Sequence, residues 1–277
     1  MSLPLVTAPA PAVGGVRASR LAGDPEAYLA ALPELGPVVL RAESEAASLA
    51  VTAPFDAPLW CGRHLCLPGD GAELRVGPGR LAAAFLLAEG RPDRRREGLR
   101  FLDVSGEVSL AAELTSGSER AALHHLAARA PQGPGPTEGW GMPDSGAVTE
   151  GALAAAVDPN LVSELLATVA DAGIPVRLIL PGAGLWLTAA TLLGDPVCRA
   201  DRIALHGAGV RLDLAADALC RVEVRRLAVP DGLAHSVELF DADGQRILRL
   251  MGQGVPGCPE ERAWRTLVGG LLPAESA

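Results

Sequence analysis

The chain contains no lysine: all 24 of its basic residues are arginine. That excludes a Schiff-base lysine and the lysine of a phosphate-binding P-loop. Aromatic side chains make up only 3 % of the residues, so the core must come from leucine, valine and alanine, which the 49 % hydrophobic content supplies. No Cys-x-x-Cys occurs among Cys61, Cys66, Cys198, Cys220 and Cys258. An odd set of scattered thiols reads as small buried hydrophobes in a reducing compartment rather than a disulfide framework. His-Glu-x-x-His, Gly-x-Ser-x-Gly and a correctly spaced dinucleotide fingerprint are all missing. No apolar run is long enough to span a bilayer, and the N-terminal MSLPLVTAPAPAVGG lacks the basic start and apolar core of a secretory signal. A formal charge of −9 disfavours nucleic acid and anionic membranes as partners. Together these absences predict a cytoplasmic protein with no membrane insertion.

What is present is a repeat. Near the C-terminus two β-prone runs, Val237 to Phe240 and Arg246 to Met251, flank Asp241-Ala242-Asp243-Gly244. Asp and Gly at that place mark a tight hairpin, because the tip needs a positive φ. A helix is expected from Pro259, with Glu260 and Glu261 complementing its positive end and Ala263, Trp264, Leu267, Val268 and Leu271 on one face. Leu99 to Gly106 carries the same turn, Asp103 answering Asp241 and Gly106 answering Gly244, an offset of 244 − 106 = 138 residues. The offset also pairs Leu81 with Leu219, Leu74 with Leu212 and Pro37 with Pro175. A register held this far indicates two copies of one module. The predicted class is α+β, two tandem copies of an antiparallel sheet flanked by helices. The predicted division is a flexible tail at 1–20, a first repeat at 21–130, a Pro/Gly-rich linker at 131–148 and a second repeat at 149–277.

Along the chain, Asp24 and Pro25 predict a capped helix with Tyr28, Leu29, Leu32 and Leu35 inward, ended by Gly36-Pro37. Strands are expected at 38–40, 46–52, 57–67, 72–76 and 81–87, a hairpin at 99–114 and a helix at 117–129. The charged run Arg91 to Glu97 reads as a solvated loop. The second copy is expected to open with helices at 149–157 and 159–172, followed by strands at 176–180, 185–188, 202–206, 210–214 and 219–228. Of the histidines, His64 and His206 fall in strand-like segments near turns, where an imidazole serves either as an iron ligand or as a satisfied structural group. His124 and His125 read as solvated, and His235 is assigned no role. Arg75, read from residues alone, is an arginine on the wet face of a sheet.

The hairpin-plus-helix pattern Ser236-x-Glu238-Leu239-Phe240-Asp241-x-x-Gly244-x-x-Ile247-x-x-Leu250, with Trp264-Arg265 in the helix behind it, resembles the C-terminal end of the HemS/ChuS/ChuX-like haemin-degrading and haem-utilisation family. Leu35-Gly36 through Arg41-Ala42-Glu43, Ala72-Glu73-Leu74-Arg75 and Leu99 to Gly106 resemble its N-terminal half. The resemblance implies a cytoplasmic haem-utilisation protein with haem as cofactor. On that resemblance the protein is expected to carry haem or deliver it to degradation, with a haem importer or a haem-degrading enzyme as partner. The resemblance also places Arg75 in the haem pocket, where a planar, permanent cation suits a propionate or an iron-bound anion. Asp213 stands at the equivalent place of the second copy, so an arginine-lined site is expected once. Three departures follow. The interval that carries the family's axial histidine is here the Pro/Gly-rich linker. The family's R-N-E-x-x-V-H-E reads Arg41-Ala42-Glu43-Ser44-Glu45-Ala46-Ala47-Ser48, and its H-T-G strand reads Thr188-Ala189-Ala190. Haem iron needs a donor from His, Cys, Met or Tyr, so a substitute such as His64 or His206 is expected to supply it. Three readings stay open, in this order: haem carriage, a relative that has exchanged haem for another ligand or partner, and an enzyme that opens the porphyrin ring.

Overall fold

The computed structural model describes residues 16–90, 96–129, 149–182, 184–229, 232–254 and 257–272. The expected linker and most of the expected tail lie outside them. The first half runs β1 (Arg17–Arg20), α1 (Pro25–Ala30), a 3-10 turn, β2 (Val38–Glu43), β3 (Ala47–Ala53), β4 (Leu59–Cys61), β5 (His64–Gly69), β6 (Ala72–Val76), β7 (Leu81–Glu89), β8 (Arg96–Asp103), β9 (Val108–Leu114) and α2 (Arg120–Arg129). The second half follows the same strand order, with its 3-10 turn before rather than after the first helix. It runs β10 (Thr149–Val157), a 3-10 turn, α3 (Val162–Asp171), β11 (Pro175–Pro181), β12 (Leu185–Leu192), β13 (Val197–Cys198), β14 (Arg202–Gly207), β15 (Val210–Ala215), β16 (Arg221–Val229), β17 (Gly232–Phe240), β18 (Arg246–Gly252) and α4 (Arg262–Gly269). Each strand of the first half thus has a counterpart nine strands later, and the α+β class with two tandem copies holds.

The sheets do not divide as the sequence does. Among the described residues there are two nine-stranded antiparallel sheets. In the first, β1-β7-β8-β9-β2-β3 continue into β15-β14-β13. In the second, β10-β16-β17-β18-β11-β12 continue into β6-β5-β4. Each half therefore sends its three middle strands across to the other. The two seams are equivalent: β6 pairs with β12 through Leu74 and Leu187, and β15 pairs with β3 through Leu212 and Leu49, where 187 − 49 and 212 − 74 both equal 138. All four leucines are fully buried, and one continuous apolar cluster draws on both sheets. As the composition requires, it is mostly leucine, valine and alanine, with Trp264, Tyr28 and Phe101 as its largest members.

Local signals act where expected. The Asp24 carboxylate accepts the Glu26 N–H at 2.9 Å, capping α1. At the first hairpin Asp103 Oδ1 accepts from Ser105 N at 2.8 Å and Glu107 N at 3.2 Å, and at the second Asp241 Oδ1 accepts from Gln245 N at 2.7 Å. Gly106 and Gly244 take φ of 89° and 76° at the two tips.

Four expectations are corrected. Residues 149–157 form β10, not a helix, because their backbone pairs with β16 at the sheet edge. Arg17–Arg20, assigned to the tail, is an edge strand on β7. Arg96 and Glu97 belong to β8, and Glu97 is buried beside Arg120 (3.0 Å) and His124 (3.5 Å), so Glu97 is not part of a solvated loop, while His124 is exposed as expected. Residues 91–95 of that charged run lie outside the described residues. The last helix starts at Arg262 rather than Pro259. Glu261 is its cap, accepting from Ala263 N at 2.5 Å and Trp264 N at 3.1 Å, while Glu260 turns inward.

Leu74→Ala and Leu212→Ala remove equivalent side chains from the two seams, so each is expected to cost about 2–5 kcal/mol. Because the seams join the halves, urea unfolding followed by circular dichroism should remain a single transition in both variants. Two separated transitions would show that the halves fold independently.

Candidate functional site

Strand β6 alternates strictly: Ala72, Leu74 and Val76 face the core while Glu73 and Arg75 face outward. On that outer face Arg75 stands directly opposite Trp186 of β12 on one side and Cys66 of β5 on the other. His64, two residues before Cys66, shares the face, and its ring meets Trp186 edge-on at 5.3 Å with an interplanar angle of 72°. Arg75 and His64, predicted separately, are thus brought together, with Trp186, Cys61 and Cys66 beside them. The exchange of strands makes this possible, since Trp186 comes from the second half and the others from the first.

Arg75 Nε donates to Glu73 Oε1 at 2.5 Å, and the guanidinium side chain is 19 % exposed. Burial works against its charge, but the hydrogen bond and charge of Glu73 outweigh that and hold its pKa above the ordinary guanidinium value. Burial, followed by the neighbouring Cys61 thiol, pushes the Cys66 thiol up to about 12. The face therefore offers a fixed cation, an aromatic surface, an imidazole and a neutral thiol.

His206 is elsewhere. It lies on β14 of the other sheet, opposite Arg211, and lines a cleft of about 660 Å³ with Arg41, Arg202, Arg211 and Asp213. The structure does not bring it to Arg75. The cleft also corrects the expectation of one arginine-lined site. Asp213 occupies the place equivalent to Arg75 (213 − 75 = 138) and Arg211 that of Glu73 (211 − 73 = 138). They bind one another in two contacts, at 2.8 and 3.1 Å. Both sheets keep an outward ion pair there, with the signs exchanged. The hydrogen bond from Arg211 holds the Asp213 carboxyl below its ordinary 3.8 against the opposing effect of burial, aided by His206 and Arg202.

A third cluster was missed. His235, on the inner face of β17, is 8 % exposed. Its backbone N–H donates to Glu260 Oε2 at 2.6 Å and its Nδ1 lies 2.8 Å from Oε1, which also accepts from Arg265 Nε at 2.8 Å. Trp264 Nε1 donates to the His235 carbonyl at 2.9 Å. His235 and Arg265 border a cleft of about 470 Å³ with Arg226, Leu233, Cys258 and Pro259. The available signal was the pair Glu260-Glu261 ahead of a helix that needs only one capping carboxylate. Among the described residues no group of three or more His, Cys, Asp or Glu is arranged to hold a metal ion, and no helix is long and apolar enough to cross a membrane.

No protein-family model matches the chain. A 66-residue segment, 24 % of the chain, is 35 % identical to the hemin transport protein HmuS of Yersinia pestis and spans only 19 % of that protein's length. The crystal structure of ChuS, an E. coli haem oxygenase, matches 92 % of this chain and 89 % of its own, with a TM-score of 0.80 at 22 % identity. The crystal structure of holo-PhuS, a haem-binding protein from Pseudomonas aeruginosa, matches 91 % of this chain and 86 % of its own, with a TM-score of 0.78 at 20 % identity. The fold is that of ChuS and PhuS, and the resemblance read from the two hairpins holds at the level of architecture.

Two tests follow from the site's electrostatics. At about pH 8, alkylation of the native protein should label the exposed Cys198, Cys220 and Cys258 and spare Cys66 until denaturant is added. Mass spectrometry showing early labelling of Cys66 would contradict this. A carboxyl whose folded pKa is depressed stabilises the fold fully above its unfolded value and loses that contribution as pH falls through the folded one. Asp213→Asn should therefore lower stability at neutral pH, and the difference from wild type should shrink below pH 3.8. A difference that does not change with pH would rule out this role.

Proposed function

We propose that this chain is a haem-utilisation protein of the HemS/ChuS kind, holding haem on the outer face of its second sheet. The supporting observation is the convergence, within a ChuS/PhuS fold, of Arg75, His64 and Trp186 on adjacent strands. The donor set suits the group: a guanidinium for a propionate or iron-bound anion, an indole for the porphyrin face, and an imidazole as axial donor. His64 takes the place of the histidine that residues 131–148 do not contain. Haem, when bound, supplies an iron centre with a second coordination position. The chain's own part is to orient the macrocycle and hold its acid arms. The proposal places the protein in the cytoplasm, supported by five free cysteines, where it would pass haem between an importer and a degrading enzyme.

The second reading, a relative that has exchanged haem for another ligand, is favoured by the cleft around His206. That cleft is larger than the one at His235, and about half of its lining side chains are charged, with both signs present.

Titration of haemin into the apoprotein should give a saturable shift of the Soret band. His64→Ala should abolish one haem equivalent, and Arg75→Ala should weaken the same equivalent about tenfold or more, the size of a lost charged hydrogen bond. A spectrum no different from haemin with an unrelated acidic protein would overturn the haem reading in favour of the second.

A further inference from the structure

The 138-residue offset lays the candidate haem face of the second sheet over the cleft of the first. Val197 and Ala204 pair across β13 and β14 as Leu59 and Cys66 do across β4 and β5. Asp213 stands opposite Ala204 and Ser48, as Arg75 stands opposite Cys66 and Trp186. The backbone frame is shared, so the side chains decide what each face binds. Ser48 stands where the other sheet has the Trp186 indole. Arg202 and Arg199 stand at the places of His64 and Cys61, since 202 − 64 and 199 − 61 both equal 138. No Trp, Phe or Tyr lines the 660 Å³ cleft. It lacks the plate on which a porphyrin would lie and has guanidinium groups at the places of the imidazole and a thiol.

The cations of the cleft stand at two ends. Arg199 and Arg202 close the turn between β13 and β14, where the Arg199 N–H donates to the Arg202 carbonyl at 2.8 Å. Both side chains are exposed, and among the described residues neither guanidinium has a hydrogen bond or ion pair. Arg41 stands on β2, three strands from β14 and so about 14 Å away by backbone spacing. Its Nη1 reaches Glu43 only at 3.5 Å, and its buried Nε has no hydrogen-bond partner among the described residues. A buried donor left without an acceptor is costly, and an incoming oxyanion supplies one. Between the two ends Arg211 and Asp213 neutralise each other, and the small side chains Ser48, Ala204 and Ala215 leave room. Glu43 and Glu45 on the rim offer acceptors for hydroxyl groups. Guanidinium forks suit phosphate and carboxylate oxygens alike, and the volume is that of a small-molecule site. We infer that this cleft binds a small, hydrophilic organic anion carrying two or more phosphate or carboxylate groups, held at one end by Arg199 and Arg202 and at the other by Arg41. The inference rests on the cleft that favours the second reading and names its ligand class, and it stands whether or not haem occupies the other sheet.

Isothermal titration calorimetry of the full chain in low-salt buffer, with fructose 1,6-bisphosphate and with citrate as probes, separates the two oxyanions. At least one should bind at a single saturable site, and the tighter of the two identifies the group recognised. Arg199→Ser and Arg202→Ser, both exposed and outside the core, should each weaken that binding about tenfold, the size of a lost charged hydrogen bond. Arg41→Gln should do the same with an unchanged circular dichroism spectrum. Arg17→Ser, which removes an equal charge from the far edge of the same sheet, and His64→Ala should leave it unaltered. Failure of both probes to saturate overturns the inference, as does binding that is indifferent to Arg199→Ser and Arg202→Ser or weakened equally by Arg17→Ser. None of these results touches haemin uptake through His64, so the two readings fail separately. Anion binding that His64→Ala or bound haemin abolishes also overturns the inference, because the anion then occupies the second sheet.

Discussion

The structure depends on two backbone seams, β6 against β12 and β15 against β3, where each half of the chain completes the sheet of the other. A three-stranded piece such as β4-β5-β6 has one apolar face and cannot bury it alone. Laid on the edge of β12, it buries Leu65, Leu67 and Leu74 in the common core and covers an edge that would otherwise present unpaired backbone groups. Because the reciprocal seam uses the same register, the two exchanges are one solution applied twice. The candidate site follows from it, since Arg75 meets Trp186 only across a seam.

Duplication of the frame has not meant duplication of the chemistry. Where the second sheet sets Arg75 beside Glu73, the first sets Asp213 beside Arg211. Where the second has Trp186, His64 and Cys66, the first has Ser48, Arg202 and Ala204. Beneath the capping helices Glu97 answers His235 (235 − 97 = 138). Glu97 is covered by Arg120 and His124, and His235 by Glu260. In each case the backbone position is kept and the side-chain chemistry is altered, so one sheet presents an aromatic, cationic face and the other a cleft of mixed charge.

Much of this was legible in the residues. Asp24-Pro25, the Asp-Gly hairpin tips and the 138-residue offset are local or periodic signals, and each corresponds to an element seen. The strand exchange was not legible, because leucine alternation in β6 says that one face is buried but not against which partner. Thr149–Val157 misled for a related reason: a run of alanine favours helix when isolated, and its pairing with β16 overrides that preference. His235 escaped notice because Glu260, the residue that gives it meaning, lies 25 positions away and was read as part of a helix start. Arg75 was singled out through the family resemblance, while its neighbours Trp186 and Cys66 emerge only from strand pairing.

The proposed haem-holding face is one that neither half has alone, because it needs the exchange of strands. A crystal structure of the haem-loaded protein should show porphyrin density across Trp186, with a His64 ring nitrogen on the iron and the Arg75 guanidinium at a propionate or an iron-bound anion. Haem density confined to other surfaces, with Arg75 still closed on Glu73 and the Trp186 face bare, would contradict it.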